Sequence, residues 1–501
     1  HPTNGTDRPI PVDRQVGAVS LVAHHFFPEA SDLMFQRRQG PQLLAGQVID
    51  AVKDYAFVGA EGGFDPDDFG IEVLDVTDPT NPVHLVEIPC GGFHSDVAVY
   101  EHLLVQSFDS SPTGCDASRL PGIDPHGVDR PAELGVRIYD VTDPANPVLL
   151  AFRGQSEGLP LGVHNITVNA PAGLLYLNMA EGDVVRPQWG YIDLTDPAFP
   201  VTILPMREVS PSAGDGCHDL GLDPVRALGF CAAIASTLIW DLTDPRRPAE
   251  VAVIVNPAVN IHHGARIAPD GTTLVVQDEL GGAAAGFGCL GLERGVGALW
   301  FYDTTDPARP LPLGSFSTSE LDPTKVPCTS HFFNFVPDSA QVVVGWYRSG
   351  VIVADFTDPA QPREQAVFLP EGGDFWAAYA YRGFLYGASR TERATNQAGG
   401  LWVLALDGLA DREPSVYDEG TSWVRWSGPP ASEPPAGAPA ADGVPPVVTP
   451  GAAPAVAAAP PASPAVPGLP ATGRNPTELA LLLLAAGTLG RRVAAVHRRR
   501  G

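Results

Sequence analysis

The sequence has almost no lysine: Lys53 and Lys325 are the only two among 501 residues. Arginine supplies the remaining positive charge, and the 58 acidic residues against 31 basic ones leave a formal charge of −27. A phosphate backbone or an anionic membrane surface would be repelled, so nucleic acid is excluded as a partner. The lysine bias reads as a GC-rich genome and not as a functional signal. Charged residues make up only 18%, while glycine (53) and proline (52) are both abundant. That balance argues against a helical protein and for a turn-rich all-β one. Long apolar runs are scarce, and the one of note, Leu479 to Leu489, is short for a permanent membrane span. The six cysteines can all pair, which removes the case for a thiol nucleophile. Gly281-Gly282 follows a strand but opens no helix, so no nucleotide loop is indicated.

What the chain does have is a repeat. Asp75-Val-Thr-Asp-Pro79 recurs as Asp140–Pro144, Asp193–Pro197, Asp241–Pro245, Asp303–Pro307 and Asp355–Pro359. An apolar strand precedes each copy, such as Ile71-Glu-Val-Leu74, and a second proline and another strand follow. Thr-Asp-Pro suits a tight turn, because Asp bonds the backbone ahead and Pro presets φ. These turns lack the dense oxygen-ligand spacing of a calcium loop. Gly400–Leu406 keeps the strand of a seventh copy but loses the turn. The spacing fits four-stranded blades with inserted loops, so the expected fold is an all-β, seven-bladed β-propeller over residues 21–410. In the sixth blade the strands are expected near His331–Val336, Gln341–Gly345, Val351–Ala354 and Glu364–Phe368.

Residues 1–20 read as an N-terminal extension. Leu21-Val22 through Leu33 aligns without a gap on Leu85-Val86 through Val97, so the N-terminus looks like an outer strand followed by an inner one. The blade near Trp376 to Leu406 lacks an outer strand of its own. An N-terminal strand that completes it would close the ring and remove open edges. With its Ile-Glu-Val-Leu-Asp-Val-Thr-Asp-Pro phrase, the stretch from about residue 20 to 407 resembles the LVIVD-repeat family. The resemblance implies a secreted or surface propeller and no settled activity.

Strand alternation puts the Thr-Asp-Pro turns on one face and every unusual feature on the other. His94, His164, His218, His263 and His331 each open an inner strand, where a propeller lines its central channel. Glu61, Glu181, Asp278, Glu279, Arg348 and Arg390 end the neighbouring strands on the same face. Asp96 and Asp219, close behind their histidines, are expected to fix the ring tautomers. Ser95 and Asp96 lie beside His94, but adjacency in a strand turns neighbours to opposite faces, so Ser-His-Asp catalysis has little support there. Cys217 and Cys231 are equidistant from Pro224 and are expected to oppose each other across a hairpin and bridge. Cys90 with Cys115, and Cys289 with Cys328, are the other expected pairs, bracing loops around the channel mouth.

The C-terminus carries a different signal. Residues 411–468 read as a disordered Pro/Ala-rich stalk, since residues 428–468 are almost entirely Pro, Ala, Gly, Val and Ser. Within 469–501, Leu469-Pro470-Ala471-Thr472-Gly473 precedes an apolar run, expected as a short helix, and then arginines. This order resembles the LPxTG-type signal that sortase cleaves between Thr and Gly to join a protein to peptidoglycan. The apolar run would retain the chain transiently in the membrane, with the arginines inside. The implied location is the cell wall of a Gram-positive, GC-rich actinobacterial cell, with an export signal removed ahead of His1.

Two functions remain open. One is a surface-displayed module that binds an extracellular ligand through its upper channel face. The other is a metal-dependent extracellular enzyme, an oxidase or hydrolase, whose histidines hold Cu, Zn, Mn or Fe. A purely architectural role for the histidines, with rings bonded to neighbouring backbone, competes with both.

Overall fold

The computed structural model describes residues 11–60, 70–91, 95–109, 123–124, 128, 133–159, 162–178, 188–196, 199–279, 297–321, 327–390 and 398–426. All-β architecture follows from the repeat. In each copy the first Asp accepts the N–H of the Thr two residues on, as Asp75 does from Thr77 and Asp355 from Thr357. The second Asp of most copies does the same again, Asp78 from Thr80 and Asp358 from Ala360. Two successive side-chain-to-backbone turns therefore reverse the chain before the next strand. That strand then carries a bulge at one recurring place, between Val73 and Leu74, Ile138 and Tyr139, or Val353 and Ala354 on its partner.

The strands form antiparallel four-stranded arrays in sequence order. One comprises Val97–Tyr100, Leu103–Phe108, Gly135–Asp140 and Val148–Gly154, the next Asn165–Asn169, Leu174–Asn178, Gln188–Asp193 and Val201–Pro205. Two more run from Asp219–Asp223 to Ala249–Ile254 and from His262–Ile267 to Leu311–Phe316. A five-stranded sheet holds Ala30–Arg38, Lys53–Ala60, Ile71–Asp75 and Val83–Ile88, with Trp423–Trp426 added beside Ala30–Arg38. A nine-stranded sheet contains Phe332–Phe335, Gln341–Trp346, Gly350–Asp355 and Arg363–Pro370, joined to Phe375–Tyr381, Phe384–Ser389 and Gly400–Leu406. First strands of successive arrays pack on one another, which gives the propeller-like arrangement. Apolar layers fill the space between arrays, with Trp189, Trp240, Trp346 and Trp402 fully buried among them.

The N-terminus supplies outer strands. Val19–His25 pairs antiparallel with Gly400–Leu406, as the alignment anticipates, and leaves that array no open edge on this side. Val12–Val16, within the expected extension, adds to Arg363–Pro370.

At the other end the ordered fold runs past residue 410. Residues 411–426, expected as stalk, fold back under the first strands. Trp423 pairs with Phe35 in parallel register, Gly420 accepts the N–H of Val168 at 3.1 Å, and Asn334 donates to Ser422 Oγ at 3.3 Å. Three arrays are thus tied by one segment. Gly420 sits at φ +82°, and a Cβ there would lie 1.9 Å from the Val168 carbonyl oxygen, so no other residue fits. The Pro/Ala-rich run, the sorting signal and the expected C-terminal helix lie outside the described residues.

Candidate metal centre

Histidines at the starts of inner strands meet as the repeat requires. His164, His218, His263 and His331 form a continuous row, with ring centroids 4.3, 4.2 and 4.4 Å apart in that order. All four are buried. His94, Glu61 and Glu181 lie outside the described residues.

Glu279 enters the row between His263 and His331. Its Oε2 is 3.2 Å from His263 Nε2, and its Oε1 is 3.8 Å from His331 Nε2. Donor atoms of His263, Glu279 and His331 all fall within 4.8 Å of one another. Two atoms each bound to one zinc-sized ion at tetrahedral angles stand about 3.4 Å apart, so the site needs little closure.

The outer ring nitrogens decide what the inner ones can do. His331 Nδ1 is 2.8 Å from the Trp376 carbonyl oxygen, which only accepts, so Nδ1 carries the proton. His263 Nδ1 is 2.7 Å from Gln277 Oε1. The Gln277 amide cannot be reversed, because its Nε2 donates to the Ser330 carbonyl oxygen at 2.5 Å. Both Nδ1 atoms are therefore protonated, and each ring, when neutral, turns an Nε2 lone pair toward the Glu279 carboxylate. Acceptors facing acceptors need a proton or a cation between them. Burial pushes the His263 pKa down, with the Glu279 and Asp219 charges opposing it, so a second proton on that ring is disfavoured. The same backing of each ring by an oxygen is what metal-ligating histidines use.

Around this centre the wall is aromatic. Tyr347 donates its hydroxyl to Glu279 Oε1, which leaves Oε2 to His263. Arg390 lies over the rings of Tyr347 and Trp376, at 4.9 and 4.8 Å, and bonds Asp374 at 3.2 Å. Arg348 reaches the same Asp374 at 3.6 Å from an exposed position. Arg390 thus props the wall of the site, while Arg348 stands at its rim. At the far end of the row His164 Nδ1 meets the Asp109 carboxylate at 2.5 Å, and His218 Nδ1 approaches the Asn165 amide at 3.5 Å.

Several expectations change. Asp219 does not set the tautomers, and the His94 ring that Asp96 was expected to orient lies outside the described residues. Asp96 accepts the N–H of Ile166 on the next array at 2.7 Å, and Asp219 that of Leu220 at 2.8 Å. The groups that do set them are Asp109, Gln277 and the Trp376 carbonyl. Asp278 does not join Glu279: its carboxylate takes the N–H groups of Asn260, Ile261 and Gly297 and anchors a loop. Adjacent residues at a strand end point opposite ways. Cys217 and Cys231 are disulfide-bonded with Cα atoms 5.4 Å apart. The pairing of Leu220 with Cys231 nevertheless centres this hairpin between Val225 and Arg226, so Cys217 bridges from just before the strand and not from a directly opposed position. Cys90 and Cys328 are also in disulfides, while Cys115 and Cys289 lie outside the described residues. His262, beside His263, shows the architectural alternative: its ring bonds Thr237 at 2.8 Å, and burial lowers its pKa to about 4.

No family model matches the chain, and no curated protein is similar to it in sequence. Solved structures with a similar fold include the WD40 repeats of RRP9, at 11% identity and a TM-score of 0.47 over 79% of this chain and 99% of that one. U3-55K is alike at 11% identity and 0.47, over 78% and 98%. Likeness at this level says nothing about ligands, and the fold is read from the strand order itself.

Proposed function

We propose that the chain is a seven-bladed propeller whose channel mouth holds a transition metal on His263, Glu279 and His331. The blade count takes Gly400–Leu406 and its neighbours, completed by Val19–His25, as the last blade. The carrying observation is the pair of proton-fixed histidines that turn lone pairs onto a buried carboxylate. Zn, Mn, Fe and Cu all accept two imidazoles and one carboxylate. Three protein ligands leave coordination positions for water or substrate, which is the pattern of catalytic and not structural sites. The metal-dependent oxidase or hydrolase reading therefore stands ahead of a metal-free binding module. Glu279, held by Tyr347, tunes the centre, and His218 and His164 extend toward whatever binds beside it.

The proposed setting is outside the cell, where disulfides persist. Support for covalent attachment to peptidoglycan by sortase comes from Leu469–Gly473, the apolar run and the arginines, all sequence features. Elemental analysis of the protein purified without a histidine tag tests the metal. One equivalent that is lost in Glu279→Gln supports it, and no metal after soaking and washing returns the function to ligand binding.

A further inference from the structure

Further along the same inner strands lies a small cavity bordered by Asp32, Asp96, Thr167, Asp219, Arg266 and Thr421. Arg266 is buried, with its guanidinium 5.6 to 6.0 Å from the centres of the Phe332, Phe333 and Tyr379 rings. Its Nη1 has no hydrogen-bond partner among the described residues, and neither does Asp219 Oδ2. A buried donor and a buried acceptor thus line one cavity without meeting. An occupant that satisfies both must accept from a guanidinium and donate to a carboxylate. Cations cannot accept and simple anions cannot donate, whereas water does both and matches the size of the space.

The other wall is a carboxyl pair. Asp32 takes the Val97 N–H at 3.2 Å and the Tyr379 hydroxyl at 3.3 Å, and its side chain hydrogen-bonds that of Asp96. Two buried carboxyls in contact cannot both ionise, so they keep a proton. Burial and then the Asp32 charge push Asp96 well up, which places the proton there. Asp219 Oδ2 lies 3.4 Å from where a Cβ would stand on Gly264, the residue after His263.

We propose that this cavity holds a resident water joining Arg266 to Asp219, and that with protonated Asp96 it forms a proton store beneath the histidine row. Its use by a metal centre rests on the function proposed above. The water and the proton do not, and they are tested separately. The charges around the store are Asp32, Asp219, Arg266 and, from the segment below, Asp418.

A high-resolution crystal structure of the full chain should show one water within hydrogen-bonding distance of both Asp219 and Arg266. A direct bond between those side chains, or an empty cavity, would overturn the proposal. Infrared spectra at alkaline pH, above the Asp418 titration at about 7, should show a protonated-carboxyl C=O stretch that is lost in Asp96→Asn. Asparagine can still accept from Ile166 and donate to Asp32, so the variant keeps the fold. A spectrum unchanged by that substitution would refute the store. Zinc added to the wild type should weaken the same band, since new positive charge drives the proton off. Zinc that binds and leaves the band untouched uncouples the store from the centre and overturns it. Zinc that fails to bind sinks the metal reading, and the water and the band still decide this one.

Discussion

Replacing Asp418 by asparagine should stabilise the protein at alkaline pH and flatten its response to pH. Asp418 belongs to the short 3-10 turn Val416–Asp418, in the segment that runs beneath the inner strands, and is fully buried. Its backbone organises the turn, donating to Ser415 and accepting from Thr421 and Ser422, and none of these bonds needs the carboxyl. Burial raises the carboxyl pKa from 3.8 to about 7, the Arg266 charge offsets only part of that, and neither carboxyl oxygen has a hydrogen-bond partner among the described residues. A rise of about three units corresponds to about 4 kcal/mol at 1.36 kcal/mol per unit. Between the two values the folded chain holds a proton that the unfolded chain has released. Stability is therefore complete below the unfolded value and falls as pH rises through about 7. Asparagine has no proton to lose. Urea unfolding followed by tryptophan fluorescence should find the two proteins alike near pH 4 and the variant ahead by up to about 4 kcal/mol near pH 8. Parallel declines in both proteins would refute the reasoning.

Removing the Gln277 amide in Gln277→Ala should weaken metal binding about 10- to 100-fold while the ligands stay, since the His263 tautomer is no longer held; competition with a chromogenic chelator reads this, and unchanged affinity would count against the tautomer argument. Replacing both Cys217 and Cys231 by alanine should cost about 3 kcal/mol in chemical unfolding, the loop-closure value for a loop of this length, and a loss near zero would show that the hairpin closes without the bridge. Deleting residues 11–25 removes both N-terminal outer strands and exposes the Gly400–Leu406 edge. Light scattering should then detect association, and a soluble monomer would argue that the edge needs no cover.

Local chemistry made the repeat readable. Asp-x-Thr-Asp-Pro encodes its own turns, so strand positions in the array from Phe332–Phe335 to Arg363–Pro370 could be placed to within about two residues, the usual uncertainty of strand ends. A repeat position also predicts which residues come together, and four of the five histidines meet in the row. The partners that give the row its chemistry were not legible, because they come from other parts of the fold: the Trp376 carbonyl reaches His331 across 45 residues, and Tyr347 reaches Glu279 across 68. Gln277 could have been found, since it stands two residues before Glu279 and shares its side of the strand. Asp278 shows the reverse error, adjacency mistaken for a shared face. Residues 411–426 were hidden by the composition that follows them, although Trp423-Val-Arg-Trp426 has the aromatic and β-branched residues a strand favours.

The central claim is a metal held by His263, Glu279 and His331. The most direct test is elemental mass spectrometry on the full chain, purified from an oxidising compartment without a histidine tag, beside His263→Ala and Glu279→Gln. The account predicts near-stoichiometric zinc, manganese, iron or copper in the wild type and its loss in both variants. A folded wild type that stays metal-free after soaking and washing would contradict it.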